Sequence, residues 1–165
     1  MIKKILRVVL KTIIVILAYV IQIYVLNNVT FFGVKGDLCL VTVVVIALTQ
    51  GSYTKYIVAS ICGIVSDLLF YNTVGKYLII YLIVVSILDG LKKMYKQDNK
   101  LSIIIFTTVG IITSEILMLL FYIIQNGELV NVIYFVLNVL KQCIVNICLA
   151  FGVYLAFRIC GKEGE

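Results

Sequence analysis

Three ionisable residues lie well inside apolar stretches of this chain: Asp67, Glu115 and Lys141. Carboxylates in apolar surroundings can act as general acids, general bases or proton carriers, and an ammonium group can pair with one of them. On insertion scales an ionisable group at the centre of a bilayer-spanning helix costs about 2.5–3.5 kcal/mol. Each of these side chains therefore needs a partner or a function.

Asp67 follows a stripe of small residues, Ala59, Gly63 and Ser66, at helical spacing. Such a stripe lets another helix approach closely. One interpretation makes Asp67 part of a substrate or partner site. The other makes it an interior carboxylate that is hydrogen-bonded near the turn that follows. We favour the second interpretation because one carboxylate, with no second acid nearby in the sequence, defines no reaction.

Glu115 and Lys141 lie at similar distances from the polar loop 125–129. At 1.5 Å per residue, they are about 15 Å and about 17 Å from that loop. Adjacent antiparallel helices would place them at one level, so we predict an intramembrane ion pair. Asn138, Lys141, Gln142 and Asn146 share one helical face, which we expect to look inward or toward a partner protein. A proton relay is the alternative, although no chain of carboxylates leads across the membrane.

The residue types that most catalytic and metal sites require are missing from the sequence. There is no histidine, which excludes imidazole ligands and histidine-based triads. The five cysteines form no Cys-x-x-Cys pair, and we interpret them as small packing residues. There is also no phosphate-binding loop, nucleophile elbow or acidic metal cluster. We therefore predict no catalytic residue, no metal site and no cofactor.

The elements that must position these residues are apolar segments separated by short polar stretches. Hydrophobic residues make up 63% of the chain and charged residues 13%, and the mean hydropathy is +1.16. No soluble domain of this size buries so much apolar surface. The sequence predicts a single integral membrane domain, residues 1–165, that is an all-α bundle of six transmembrane helices. We place them at about 8–26, 34–49, 56–71, 77–91, 101–124 and 130–157, with Asp37 as a cap of the second helix.

The basic residues predict how this bundle is oriented. Apart from Lys35, Lys76 and Lys141, every lysine and arginine falls in the N-terminal stretch, in alternate loops or at the C-terminal end. Because basic loops stay in the cytoplasm, this pattern predicts six crossings with both termini cytoplasmic. The net charge of +6 then serves topology and attraction to the phospholipid membrane, and we expect no nucleic-acid partner.

Residues 31–38, 63–69 and 74–77 resemble the motifs of the rod shape-determining protein MreD family. That family shows a Pro-Asp-Leu opening to its second helix, a glycine-rich third helix ending in Asp-Leu, and a glycine-containing turn before the fourth. Asp37, Gly63, Asp67 and Gly75 match this pattern by position. Gly36 departs from it, because it stands where the family usually has proline. The rest of the chain is similar in length and hydropathy.

The resemblance implies a non-enzymatic component of the bacterial cell-wall elongation complex in the plasma membrane. Its implied roles are rod-shape determination and the organisation of peptidoglycan synthesis. The implied partners are an MreC-like protein with a single membrane span and other proteins of the complex, with no small-molecule ligand expected. Without a large extramembrane domain, the chain must bind partners through helix faces and short loops. The candidate helix-packing or partner surface consists of Ala59, Gly63, Asp67 and Gly75.

An alternative function follows from the fold of that family, which is believed to resemble the substrate-binding S-components of energy-coupling-factor vitamin transporters. Asp67, Glu115 and Lys141 would then contribute to an outer substrate cavity. S-components usually carry an Ala-x-x-x-Ala face on the first helix for docking, whereas here Ala18 is followed four residues later by Gln22. A third interpretation is a channel or a lipid-handling protein.

Overall fold

The computed structural model describes residues 13–26, 28–49, 52–70, 75–92, 100–127 and 130–162. Within these ranges the chain forms six helices and no β-sheet, which confirms the prediction of an all-α chain with six helical segments. The start predicted near residue 8 for the first helix lies outside the described residues. The helices are α1 (Ile13–Leu26), α2 (Leu38–Thr49), α3 (Ser52–Phe70), α4 (Lys76–Lys92), α5 (Lys100–Asn126) and α6 (Val132–Lys162).

Two helices of the described chain are long and apolar enough to cross a membrane. These stretches are Ser102–Asn126 in α5 and Val132–Arg158 in α6. The helices α1 and α2 are apolar but shorter. A bilayer core about 30 Å thick needs about 20 helical residues, so α5 and α6 satisfy this requirement by themselves. That all six helices cross the membrane stays a prediction.

The short helix α2 lies at the centre of the bundle. Every residue from Leu38 to Ala47 is buried, and α2 packs against all five other helices. Its sequence is apolar on all sides, which is typical of a helix enclosed by protein. Asp37 precedes α2, and its Oδ1 accepts a hydrogen bond of 2.8 Å from the Leu40 N–H in the first turn. The neighbouring helices therefore shield α2, whose 12 residues are too few to span a bilayer.

The start of α2 differs from the prediction, because residues 34–37 are not helical. Phe31 and Val34 instead close a small hairpin through two backbone hydrogen bonds of 2.8 and 3.0 Å. The two central residues, Phe32 and Gly33, have φ angles of 55° and 81°, as a type I′ turn requires. The hairpin reverses the chain direction, and residues 35–37 lead from it into α2 without helical structure.

A lysine side chain contacts the C-terminal end of α2, which lies opposite Asp37, and a second lysine forms an ion pair nearby. Lys92, the last residue of α4, donates to the carbonyl oxygens of Ala47 and Leu48 at 3.3 and 2.7 Å. These carbonyls belong to the last turn of α2, where the helix dipole favours a positive charge. Beside them, the buried Lys55 of α3 forms an ion pair with Asp89 of α4. At this end of the bundle, the Lys55–Asp89 ion pair therefore joins α3 to α4, and Lys92 joins α4 to α2.

We predict that Lys92→Met lowers the free energy of unfolding by about 1 kcal/mol, because the last carbonyls of α2 lose a charged donor. Lys92→Arg keeps the charge and several donors, so its stability should lie closer to that of the wild type. Unfolding of the purified protein in mixed detergent micelles measures both variants. Equal stability of Lys92→Met and the wild type would contradict this role of Lys92.

Candidate functional site

The small-residue stripe predicted on the third helix lies against α4 of the same chain. Ala59 is fully buried, and Asp67 is 1% exposed. A Cβ atom added to Gly63 would lie 2.5 Å from the Leu78 Cα. The stripe is thus a helix-packing surface within one molecule. The helix-packing part of the prediction therefore describes Ala59, Gly63 and Asp67, whereas a partner contact at these residues and at Gly75 stays a prediction.

Asp67 connects the end of α3 to the start of α4 through three hydrogen bonds from backbone N–H groups. Its Oδ2 accepts from Gly75 at 2.9 Å and from Leu78 at 3.2 Å, and its Oδ1 accepts from Tyr77 at 2.8 Å. N–H groups in the first turn of a helix have no partner inside the helix, and the helix dipole favours an anion there. Gly75 lies in the turn with a φ of 104°, a conformation that favours glycine. Asp67 therefore has the structural role that its sequence context favoured.

Glu115 and Lys141 do not form the predicted ion pair. Glu115 on α5 faces a cavity inside the bundle, whereas Lys141 lies on the exposed side of α6. In the described part of the chain the ion pair within 4.0 Å joins Lys55 and Asp89 instead. Counting residues gives the depth of a side chain in a helix but not the direction in which it points, and here the two directions differ.

The polar face predicted on α6 is divided between the interior and the surface. Gln142 lines the cavity, and Asn146 is fully buried. Asn138 and Lys141 are exposed, beside the exposed apolar side chain of Leu137. The expectation of an inward-looking face therefore holds for one half of this set, and the other half is available to lipid or to another protein.

Two amide side chains attach the segment before α2 to the helices on either side of it. Gln22 of α1 donates to the Gly36 carbonyl oxygen at 3.1 Å and accepts from the Leu38 N–H at 2.8 Å. Asn146 of α6 accepts from the Asp37 N–H at 2.8 Å. Unpaired backbone groups in a buried segment are costly, and these side chains satisfy them. The position of Asp37 is thus fixed from both sides.

Gln22, Gly36 and Asp37 line a cavity of about 500 Å³ that is partly open to the surface. It lies between α1, α2, α4, α5 and α6, beside the segment that leads into α2. Two tyrosines of α4, Tyr77 and Tyr81, form part of its wall, with their ring centroids 5.7 Å apart in an edge-to-face arrangement. Apart from these tyrosines, the polar and charged side chains of the wall are Gln22, Lys35, Asp37, Ser114, Glu115 and Gln142.

Sequence reasoning missed the structural role of Gln22 and the cavity as a whole. Gln22 is the only amide in the apolar run 12–26, and this isolation was a signal that it has a partner. Tyr19, one turn earlier, donates through its hydroxyl to the Cys62 carbonyl oxygen at 2.6 Å. Cys62 itself is buried and unpaired, as expected of a packing residue.

The fold and the cavity together define an all-helical membrane protein whose buried polar groups hold helix junctions and line one internal space. No group of three or more cysteine, aspartate or glutamate side chains that could hold a metal ion occurs in the described ranges.

The model of the family described as rod shape-determining protein MreD matches residues 2–160, and the chain belongs to this family. The resemblance stated from the sequence is confirmed. Membership assigns the chain to a family of membrane proteins that determine rod shape. It gives no support to the vitamin-transporter alternative. Comparison with curated proteins and with solved structures finds no match.

Proposed function

We propose that this protein is a non-catalytic component of the bacterial cell-wall elongation complex and binds an MreC-like partner with a single membrane span. In this proposal its six helices form a single domain that crosses the plasma membrane, with both termini in the cytoplasm. Family membership supports the role in rod shape. The distribution of lysine and arginine supports the orientation.

The observation that carries the partner proposal is the exposed position of Lys141 on an apolar helix. Lys141 is nine residues from the start of α6 at Val132, or about 14 Å along the helix axis. Its exposed neighbours Leu137, Leu140 and Ile144 are apolar. If α6 spans the membrane, this distance places Lys141 near the middle of a hydrocarbon core about 30 Å thick. An ammonium group at that depth is costly.

A transmembrane helix of the partner removes that cost if it places an acidic or amide side chain opposite Lys141. Interhelical hydrogen bonds of polar residues stabilise helix pairs in membranes. Asn138 lies one turn before Lys141 on the same exposed side and supplies a second donor and acceptor. The partner of this proposal therefore has one span with a polar residue near its middle.

We expect Lys141→Leu to reduce co-purification of the MreC-like partner at least tenfold, because the charged contact with the partner is lost. The folded state of the variant should remain intact, since Lys141 is exposed. Co-purification from membranes and rescue of cell shape in a rod-shaped bacterium that lacks its own family member measure the effect.

Arg158→Leu is the matched control, because it removes one exposed cation from the other end of α6. It should leave co-purification close to the wild-type level. Full recovery of the partner with Lys141→Leu would rule out this contact. Failure of the wild-type protein to restore rod shape would count against the proposed function itself.

A further inference from the structure

We propose that the cavity binds a zwitterionic amine, with Glu115 and Asp37 as counter-ions of its ammonium group and Lys35 next to its anionic group. The matching chemistry is that of phosphoethanolamine, either as a free molecule or as the headgroup of a phospholipid. This inference goes beyond partner binding and concerns a different side of the molecule from Lys141.

The dimensions of the cavity fit a ligand of this size. Small-molecule sites in proteins have volumes of about 300–1,000 Å³ and combine apolar walls with a few polar groups. This cavity measures about 500 Å³, and its wall includes apolar Ile80 and Met118 beside the polar residues. Its partial opening gives a ligand a path of entry.

The two carboxylates indicate a cation. Asp37 and Glu115 line the same cavity, and neither has a lysine or arginine within 4.0 Å among the residues that the structure describes. Two like charges that share a poorly hydrated space destabilise each other, and a cation between them removes this repulsion. Gln142 lines the same cavity as Glu115 and offers an amide beside the two carboxylates.

The aromatic wall favours an organic ammonium group over a bare metal ion. Tyr77 and Tyr81 lie beside the carboxylates, and tyrosine rings attract ammonium groups through their faces. The combination of carboxylates and aromatic rings therefore matches a primary ammonium group.

The segment before α2 supplies a cation for the anionic group of the ligand. Lys35 is exposed and lines the cavity two residues before Asp37, so its ammonium group is available to a ligand. A phosphate or carboxylate next to the ammonium group of the ligand thus meets the ammonium group of Lys35.

The test measures binding of defined probes to the full-length protein in detergent or in nanodiscs. By calorimetry and thermal shift, phosphoethanolamine should bind saturably and at least tenfold more tightly than glycerol phosphate, which lacks the amine. Ethanolamine, which lacks the anion, should bind more weakly than phosphoethanolamine. Equal affinity for all three probes, or no saturable binding of any of them or of the lipid, would overturn the proposal.

A second experiment distinguishes free phosphoethanolamine from the headgroup of a phospholipid as the ligand. Native mass spectrometry of protein from nanodiscs containing phosphatidylethanolamine and phosphatidylglycerol shows which lipid is retained. Selective retention of phosphatidylethanolamine identifies the lipid headgroup. Phosphoethanolamine binding without lipid selectivity identifies the free molecule.

Glu115→Gln is the decisive variant, because it keeps the shape of the side chain and removes its charge. We expect its affinity for the ammonium-bearing probe or lipid to fall at least tenfold. Arg158→Gln removes an exposed charge from the far end of α6 and should leave that affinity unchanged. If Glu115→Gln fails to fold, Lys35→Gln takes its place, and the difference between phosphoethanolamine and ethanolamine should then disappear. Unchanged affinity in the folded Glu115→Gln variant would refute the proposal.

Discussion

Gly63→Ala is expected to lower the free energy of unfolding by more than about 3 kcal/mol, at the upper end of overpacking effects. The added Cβ would lie 2.5 Å from the Leu78 Cα, 2.8 Å from the Leu78 nitrogen and 3.1 Å from the Tyr77 carbonyl carbon. These are backbone atoms, so no side chain can rotate away and α4 as a whole must move. Membrane proteins with small-residue helix contacts depend on this close approach.

The measurement for Gly63→Ala is unfolding in mixed micelles, together with the monodisperse fraction in size-exclusion chromatography. Gly152→Ala and Gly90→Ala are matched controls, because both glycines are helical and an added Cβ meets no atom within 4 Å. Alanine has the higher helix propensity, so the controls should match or exceed the wild-type stability. Wild-type stability of Gly63→Ala would show that α3 and α4 do not pack as described.

The second large effect is expected at Asp67. Asp67→Leu removes the acceptor of three backbone N–H groups, from Gly75, Tyr77 and Leu78, in a buried position. Each buried donor that loses its partner costs about 1–3 kcal/mol. Some of the cost is recovered when the turn relaxes toward water or lipid headgroups. We therefore expect a loss of about 3 kcal/mol or more in the free energy of unfolding.

A graded series distinguishes this role of Asp67 from a general intolerance of substitution. Asp67→Asn keeps one acceptor oxygen and should have intermediate stability. Asn131 is the matched control, since its Oδ1 accepts from the Ile133 N–H at 3.0 Å in an exposed cap of α6. Asn131→Ala should cost only about 1 kcal/mol, the typical value for a helix cap. If Asp67→Leu costs no more than Asn131→Ala, the carboxylate does not hold the α3–α4 junction.

The local sequence pattern predicted the six helices and several of the residues at which they begin or end. The apolar runs and the glycine-containing turns determine where each helix can form, and Asp37 is followed directly by the apolar run of α2. The hairpin at residues 31–34 was missed, because Phe32 adopts a positive φ that sequence preferences disfavour for an aromatic residue.

The candidate site was predicted less well. Its composition depends on which side of each helix faces the interior of the bundle, and the sequence does not give that orientation. Glu115 and Lys141 are at comparable depth, but they point to different sides of the bundle. Asp67, by contrast, accepts hydrogen bonds near the turn after α3, as the favoured interpretation of the sequence described. The cavity combines residues from five helices, so no segment of the sequence carries its pattern. Gln22 and Asn146 show the same principle, since each binds a backbone segment that is distant in the sequence.

The central position of α2 has a consequence for the biogenesis of the protein. A ribosome completes α2 long before α5 and α6, yet both of these helices cover it, and the contact of Asp37 with Asn146 spans 109 residues. During synthesis this short helix leaves the exit tunnel without the helices that later enclose it. The nascent chain must therefore keep α2 at the membrane insertion machinery, or loosely against α3 and α4, until α5 and α6 have been synthesised.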